Sequence, residues 1–169
     1  GETETSQGIM AVCRTPTLKF EAVESLLTGL IRPGENVAEG EAPAALAPVL
    51  AGLQDPGNVG TIIRTADAAG AGAVILSPGS ADPWAPKVVR AAAGSHFHLP
   101  IAVGVDLQQL SDFTRSSGWD MIAADGYAET SLAELDSAQL SRPALWLVGN
   151  EAHGLSGVEK ALADHRVAI

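Results

Sequence analysis

Residues 49–77 read VLAGLQDPGNVGTIIRTADAAGAGAVILS: an apolar run, a Pro-Gly turn, a stretch of helical periodicity and a second apolar run. A strand, a crossover helix and another strand in so short a span is the unit from which parallel sheets are built. Asp55 or Asn58 can open the helix by accepting backbone N–H bonds, and Gly70 stands where the helix closes. The glycines of AAGAGAVIL do not form a dinucleotide fingerprint. They end a helix and precede a strand, whereas a phosphate-binding turn follows a strand and opens a helix.

The same rhythm extends in both directions. The runs VLAGL, AVILS, LPIAV, WDMIAA, ALWLVG and RVAI alternate with helical stretches near residues 57–69, 84–93, 106–117 and 156–164. This predicts an α/β domain, a parallel sheet with helices on both faces. Such folds place ligands outside the carboxyl ends of their strands, which singles out QDPGN, ADGYAE and GNEAHGL. Upstream, IMAVC at residues 9–13 suits a strand and residues 18–31 an amphipathic helix, followed by a Pro-, Gly-, Ala- and Glu-rich spacer. Residues 1–45 therefore read as a lead-in strand, helix and linker, and residues 46–169 as the body of a single domain.

The chain has 169 residues, 46% of them hydrophobic and 18% charged, enough for one packed core. No apolar run reaches the roughly 20 residues of a membrane span, and GETETSQGIM has neither the basic nor the apolar part of a secretory signal. The expected location is the cytoplasm, with no membrane partner. Cys13 stands alone, so it reads as a small buried hydrophobe. Net charge is −10, with 3 basic and 7 acidic side chains in residues 1–50 and 7 and 13 in residues 51–169. On charge alone this opposes a polyanion partner, whose affinity comes largely from lysine and arginine.

Helical spacing puts Gly60, Arg64, Asp67 and Ala68 on one face. Arg64 has two readings: a surface partner of Asp67, or a guanidinium beside a glycine-bared helix start, suited to a phosphate or an oxyanion. LWLVGNEAHGLS is an apolar strand that breaks into Gly149, Asn150, Glu151, Ala152, His153 and Gly154. It is either a solvated loop before a helix capped by Ser156 or the lining of a polar site. His96 and His98 alternate like strand residues but lack a third ligand at a useful offset, so no metal is expected. Trp84, Trp119 and Trp146 lie among apolar neighbours and read as core rather than base-stacking platforms.

Together, DPGNVGTIIRTADAAGAGAVIL, KVVRAAAGSHFHLPI and LVGNEAHGLS resemble the SpoU/TrmH branch of the SPOUT methyltransferases, which methylate ribose 2′-hydroxyls of RNA. The resemblance runs from about residue 46 to the end, and TETSQGIMAVC resembles the family's lead-in to its first catalytic strand. It implies an α/β knot fold, S-adenosylmethionine as methyl donor, RNA as substrate and a homodimer. The SQGIMAV form favours ribosomal over transfer RNA. It gives catalytic roles to Asn58, Arg64 and Glu151, and cofactor contacts to Leu147, Val148, Gly149, Asn150 and Ile169. The family continues past that isoleucine into a knot-forming segment, whereas this chain stops at Ile169, and many relatives carry a small RNA-binding domain in front.

The implied reaction asks the site to take a proton from a weakly acidic ribose hydroxyl and to stabilise the growing charge. Arg64 can serve as the base, as the family account has it, or bind the adjacent phosphate and the developing alkoxide. Asn58 would orient Arg64 or the ribose, and Glu151 would hold Asn58 or Arg64. Two other classes compete: a non-catalytic RNA-binding or ribosome-assembly relative, and an enzyme acting on a small nucleotide-like molecule.

Overall fold

The structure, a computed structural model, describes residues 12, 14–31 and 45–169. The expected strand at residues 9–13, Cys13 and most of the spacer lie outside the described residues.

The first strand of the body, β2 (Leu46–Leu50), leads into α2 (Pro56–Ala68) and β3 (Val74–Leu76). Asp55 caps α2 by accepting the Asn58 N–H at 2.9 Å, and Pro56 occupies the first turn, where no N–H is needed. Gly70, at φ +73°, closes the helix in a Schellman arrangement: Ala71 N–H donates to Ala66 O and Gly70 N–H to Asp67 O. Downstream follow α3 (Pro86–Ala91), β4 (Ile101–Val103), α4 (Leu107–Ser117), β5 (Asp120–Ala124), α5 (Ser137–Leu140), β6 (Ala144–Val148), α6 (Gly157–Ala161) and β7 (His165–Val167). Upstream, β1 (Thr17–Leu18) and α1 (Phe20–Leu30) join the same body.

The seven strands form one sheet in the order β1-β4-β3-β2-β6-β5-β7, and each pairing is parallel. Helices cover both faces, as the alternating runs predict. Val49, Ile75, Ala102 and Leu147 pack towards Val23 and Leu27 of α1 and Leu110 and Phe113 of α4. Leu50, Val74, Leu76 and Ile101 pack towards Val59 and Ile63 of α2 and Val88 of α3. Central strands buried on both faces need unbroken apolar runs, and VILS, IAV and ALWLV supply them.

One region departs from expectation. Residues 95–97 form a 3-10 turn rather than strand, entered through Gly94 at φ +100°. His96 is buried with Nε2 2.7 Å from the Pro83 carbonyl, while exposed His98 places Nδ1 3.1 Å from the Asp67 carboxylate. The two rings turn to different partners and do not form a pair of ligands. The tryptophans also divide. Trp119 is core, Trp146 is half-buried, and half-buried Trp84 donates from its indole to Thr17 Oγ1 at 3.1 Å, tying β1 to the body.

Glycine is required where α2 meets α3. A Cβ on Gly60 would lie 2.5 Å from Ala91 Cβ and 2.6 Å from the Val88 carbonyl oxygen. Gly60→Ala gains about 1 kcal/mol of helix propensity but incurs an overpacking cost of about 1–3 kcal/mol. A net loss of up to about 2 kcal/mol is expected, read as a lower urea midpoint with unchanged slope. Gly29→Ala in α1, where nothing lies within 4 Å of the added carbon, should move the midpoint the other way.

Candidate active site

The sheet's connections move outward in opposite directions from the adjacent pair β2 and β6: β2 leads to β3 on one side, β6 to β7 on the other. This is the switch point at which parallel sheets open a crevice beyond their strand ends. The loops after β2 and β6 meet there. Ala51 N–H donates to the Val148 carbonyl at 2.9 Å, and Asn150 Nδ2 reaches the Gly52 carbonyl at 3.4 Å. Asn58, in the first turn of α2, donates from Nδ2 to Glu151 Oε1 at 2.5 Å, and both side chains are exposed.

The loop after β6 folds back on itself. Asn150 Oδ1 accepts from Ala152 N–H at 2.8 Å, and Gly154 N–H closes the turn onto the Asn150 carbonyl at 2.7 Å. Gly149 lies under that closure: a Cβ there would come within 2.5 Å of the Gly154 carbonyl carbon and of the Leu155 nitrogen. Glycine at this strand end is therefore demanded by the protein's own backbone. The capping box of α6, Ser156 with Glu159, then fixes where the loop ends.

Beside this loop lies a cavity of about 260 Å³ walled by the ends of β5 and β6 and by α6, with Asp125, Tyr127, Asn150, Glu151, His153 and Lys160 in its lining. Asp125 was not legible as a site residue, although it lies in the ADGYAE stretch. Its buried carboxylate accepts from Arg166 Nη2 at 2.7 Å and Nε at 3.2 Å, and sits 3.0 Å from Lys160 Nζ. These two cations, Arg166 before Lys160, outweigh desolvation and hold the carboxyl down from 3.8 to about 2. One carboxylate thus ties the turn after β5 to α6 and β7. A second cavity, about 220 Å³, sits at the opposite end of the sheet between Leu46, Ile122, Leu140 and Trp146, with Gln139 and the Asp120-paired Arg142 as its polar lining.

Of the residues named from sequence, Asn58, Gly149, Asn150 and Glu151 converge. Leu147 is buried in the last turn-ward residues of β6, Val148 is half-buried beside it, and Ile169 follows β7, 80% exposed. Arg64 stands apart. Six residues along α2, about 9 Å further along its axis, it occupies the flank that Gly60 presses against α3. It is exposed and, among the described residues, has no hydrogen bond or ion pair. The pairing with Asp67 does not form. Asp67 faces Ser95 and His98, whose hydrogen bonds hold its carboxyl below the usual range. Glu151 holds Asn58, not Arg64.

A family model described as the SpoU rRNA Methylase family matches residues 45–169. The chain is 36% identical over 163 residues to the 23S rRNA (guanosine(2553)-2'-O)-methyltransferase RlmP of Bacillus subtilis (strain 168), covering 96% of this chain and 54% of that protein. It is 36% identical over 119 residues to the 23S rRNA (uridine(2479)-2'-O)-methyltransferase of Streptomyces viridochromogenes, covering 68% and 40%. Among solved structures, an AdoMet-bound rRNA methyltransferase from Sinorhizobium meliloti superimposes with a TM-score of 0.69 at 34% identity, over 85% of this chain and 50% of that one. The chain spans about half the length of the curated relatives it matches.

The Asp125 cluster has a pH signature. A carboxyl whose pKa is lowered on folding adds stability that is complete above its unfolded value and is lost as pH falls through about 2. The difference in urea midpoint between the parent and Asp125→Asn should hold steady at neutral pH and shrink below about pH 4. A difference unchanged down to pH 3 would contradict the assignment.

Proposed function

The chain belongs to the SpoU rRNA methylase family, and from that premise we propose that it directs transfer of a methyl group from S-adenosylmethionine to a ribose 2′-hydroxyl of ribosomal RNA. The observation that carries the reading is the meeting of Asn58 and Glu151 at the switch point, beside a cavity of about 260 Å³. Relatives at 36% identity are named for 2'-O-methylation of 23S rRNA, which favours ribosomal RNA as substrate.

The cavity suits the cofactor's chemistry. Glu151 supplies negative potential for a sulfonium, and Ala124, Ala152 and Leu155 offer apolar surface to an adenine. Leu147, Val148, Gly149, Asn150 and Ile169 remain the proposed cofactor contacts through their backbone. When bound, S-adenosylmethionine supplies an electrophilic methyl on sulfur. The protein must orient the ribose and stabilise its oxygen as the proton leaves. Asn58, held by Glu151, presents an amide to the ribose. Arg64 is assigned to the phosphate next to that ribose and to the developing alkoxide. A guanidinium keeps its protons to above about pH 12, so binding of charge suits it better than acting as a base.

Residues 130–132 bear on the family's knotted carboxyl end. Ala168 N–H donates to the Thr130 carbonyl at 2.8 Å and Leu132 N–H to the Ala168 carbonyl at 2.9 Å, so the loop after β5 clasps the chain as it leaves β7. A knotted carboxyl end and a homodimer enter the proposal from the family resemblance.

The test is tritium transfer from labelled cofactor to 23S rRNA transcribed in vitro, using the full encoded protein. Arg64→Ala should lower transfer by about 10²–10³-fold, the scale of losing one charge-stabilising donor. Cofactor affinity by calorimetry should stay within about twofold. Transfer at the parent rate by Arg64→Ala would remove Arg64 from the reaction.

A further inference from the structure

Tyr127 is 92% exposed, at the rim of the cavity that holds Glu151, and it is the chain's single tyrosine. Its backbone is anything but loose. Tyr127 N–H donates to Asp125 Oδ1 at 3.2 Å, and Ala128 N–H closes the turn onto the Asp125 carbonyl at 2.9 Å. Asp125 is in turn buried, held by Arg166 and Lys160 through its side chain and by the Val167 carbonyl, 2.9 Å from its N–H. An aromatic ring almost wholly in water therefore stands on one of the most firmly anchored turns of the site. Exposure leaves apolar ring surface unburied, and anchoring has already removed the entropy that a flexible loop would lose on binding.

We propose that Tyr127 is a stacking platform for an RNA base next to the ribose brought to Asn58 and Glu151, an inference that rests on the functional reading above. Charge supports a base rather than a phosphate here. Glu129 and Glu151 are exposed close by, and the chain carries a net −10, so backbone phosphates are poorly served at this rim. Stacking needs no positive charge and tolerates any base, which is how proteins hold unpaired nucleotides beside a reacting one. The rest of the lining, with Ala124, Ala152 and Leu155, remains for the cofactor.

The experiment is steady-state methyl transfer by the full encoded protein to 23S rRNA transcribed in vitro, with RNA and S-adenosylmethionine titrated separately. Tyr127→Ala should raise KM for RNA about 5- to 100-fold, with kcat at saturating RNA and KM for S-adenosylmethionine near parent values. Tyr127→Phe should restore the parent KM, because the ring and not the hydroxyl makes the contact. Phe97→Ala removes an aromatic that is 86% exposed at the opposite end of the sheet and should change nothing. An unchanged KM for RNA in Tyr127→Ala, an equal rise in Phe97→Ala, or failure of Tyr127→Phe to restore binding would each overturn the assignment. A rise confined to KM for S-adenosylmethionine would overturn it too, placing the ring on the cofactor. If the parent transfers no methyl to RNA, the functional reading itself falls and the stacking role with it. Parent transfer with an insensitive Tyr127→Ala removes the stacking role alone.

Discussion

Five residues of β2, Leu46 to Leu50, lie in parallel register with Ala144 to Val148 of β6. The two strands are far apart in sequence, and nothing in either helix following them would bring Asn58 near Glu151 without that register. A shift of β2 by one residue against β6 would turn Val49 from the α1 and α4 side to the α2 side, so burial on both faces fixes the alignment tightly. Everything at the carboxyl end inherits it. Ala51 reaches Val148, Asn150 reaches Gly52 and Asn58 reaches Glu151, each contact a consequence of two strands ending at the same height.

The fold was legible because its signals are local. Apolar runs bounded by Gly, Pro and Asp mark the central strands, and Asp55, Gly70 and Ser156 mark helix ends through bonds to their own neighbours. The pattern at residues 95–98 misled because His96 and His98 alternate in sequence while a left-handed Gly94 turns the chain into a 3-10 segment, where alternation has no meaning. Thr17 and Leu18 form a strand too short to leave a periodicity. For the site, Asn58, Gly149, Asn150 and Glu151 could be named from motifs at two strand ends. The cluster of Asp125 with Lys160 and Arg166 could not, since its partners lie 35 and 41 residues on, with no repeat or spacing that links them.

The acidity of the chain looks less adverse once its cations are placed. Lys87, Arg115, Arg142, Lys160 and Arg166 each lie against a carboxylate. Arg64 and Arg90, on the two helices packed at Gly60, are exposed and have no such partner among the described residues. Cations already neutralised by carboxylates contribute little to an anion's binding, so net charge understates what the α2 and α3 surface can do for a phosphate. Binding by this chain would then divide its labour, with arginine on that surface and an aromatic ring on the acidic rim.

The contrast between two carboxylates explains how the site can be both ordered and available. Asp125 is buried and doubly paired, and removing its partners would strand a charge away from water. Glu151 is exposed, and its bond to an equally exposed Asn58 adds little to folding because water competes for both groups. What holds Glu151 beside Asn58 is the loop beneath it: the Asn150 turn, the closure over Gly149 and the capped start of α6. The amide and carboxylate can therefore exchange each other for a ligand at small cost while their backbone positions stay fixed. A loop built this way keeps its rigidity in close glycine contacts and ion pairs, and leaves the exposed amide and carboxylate free to change partner.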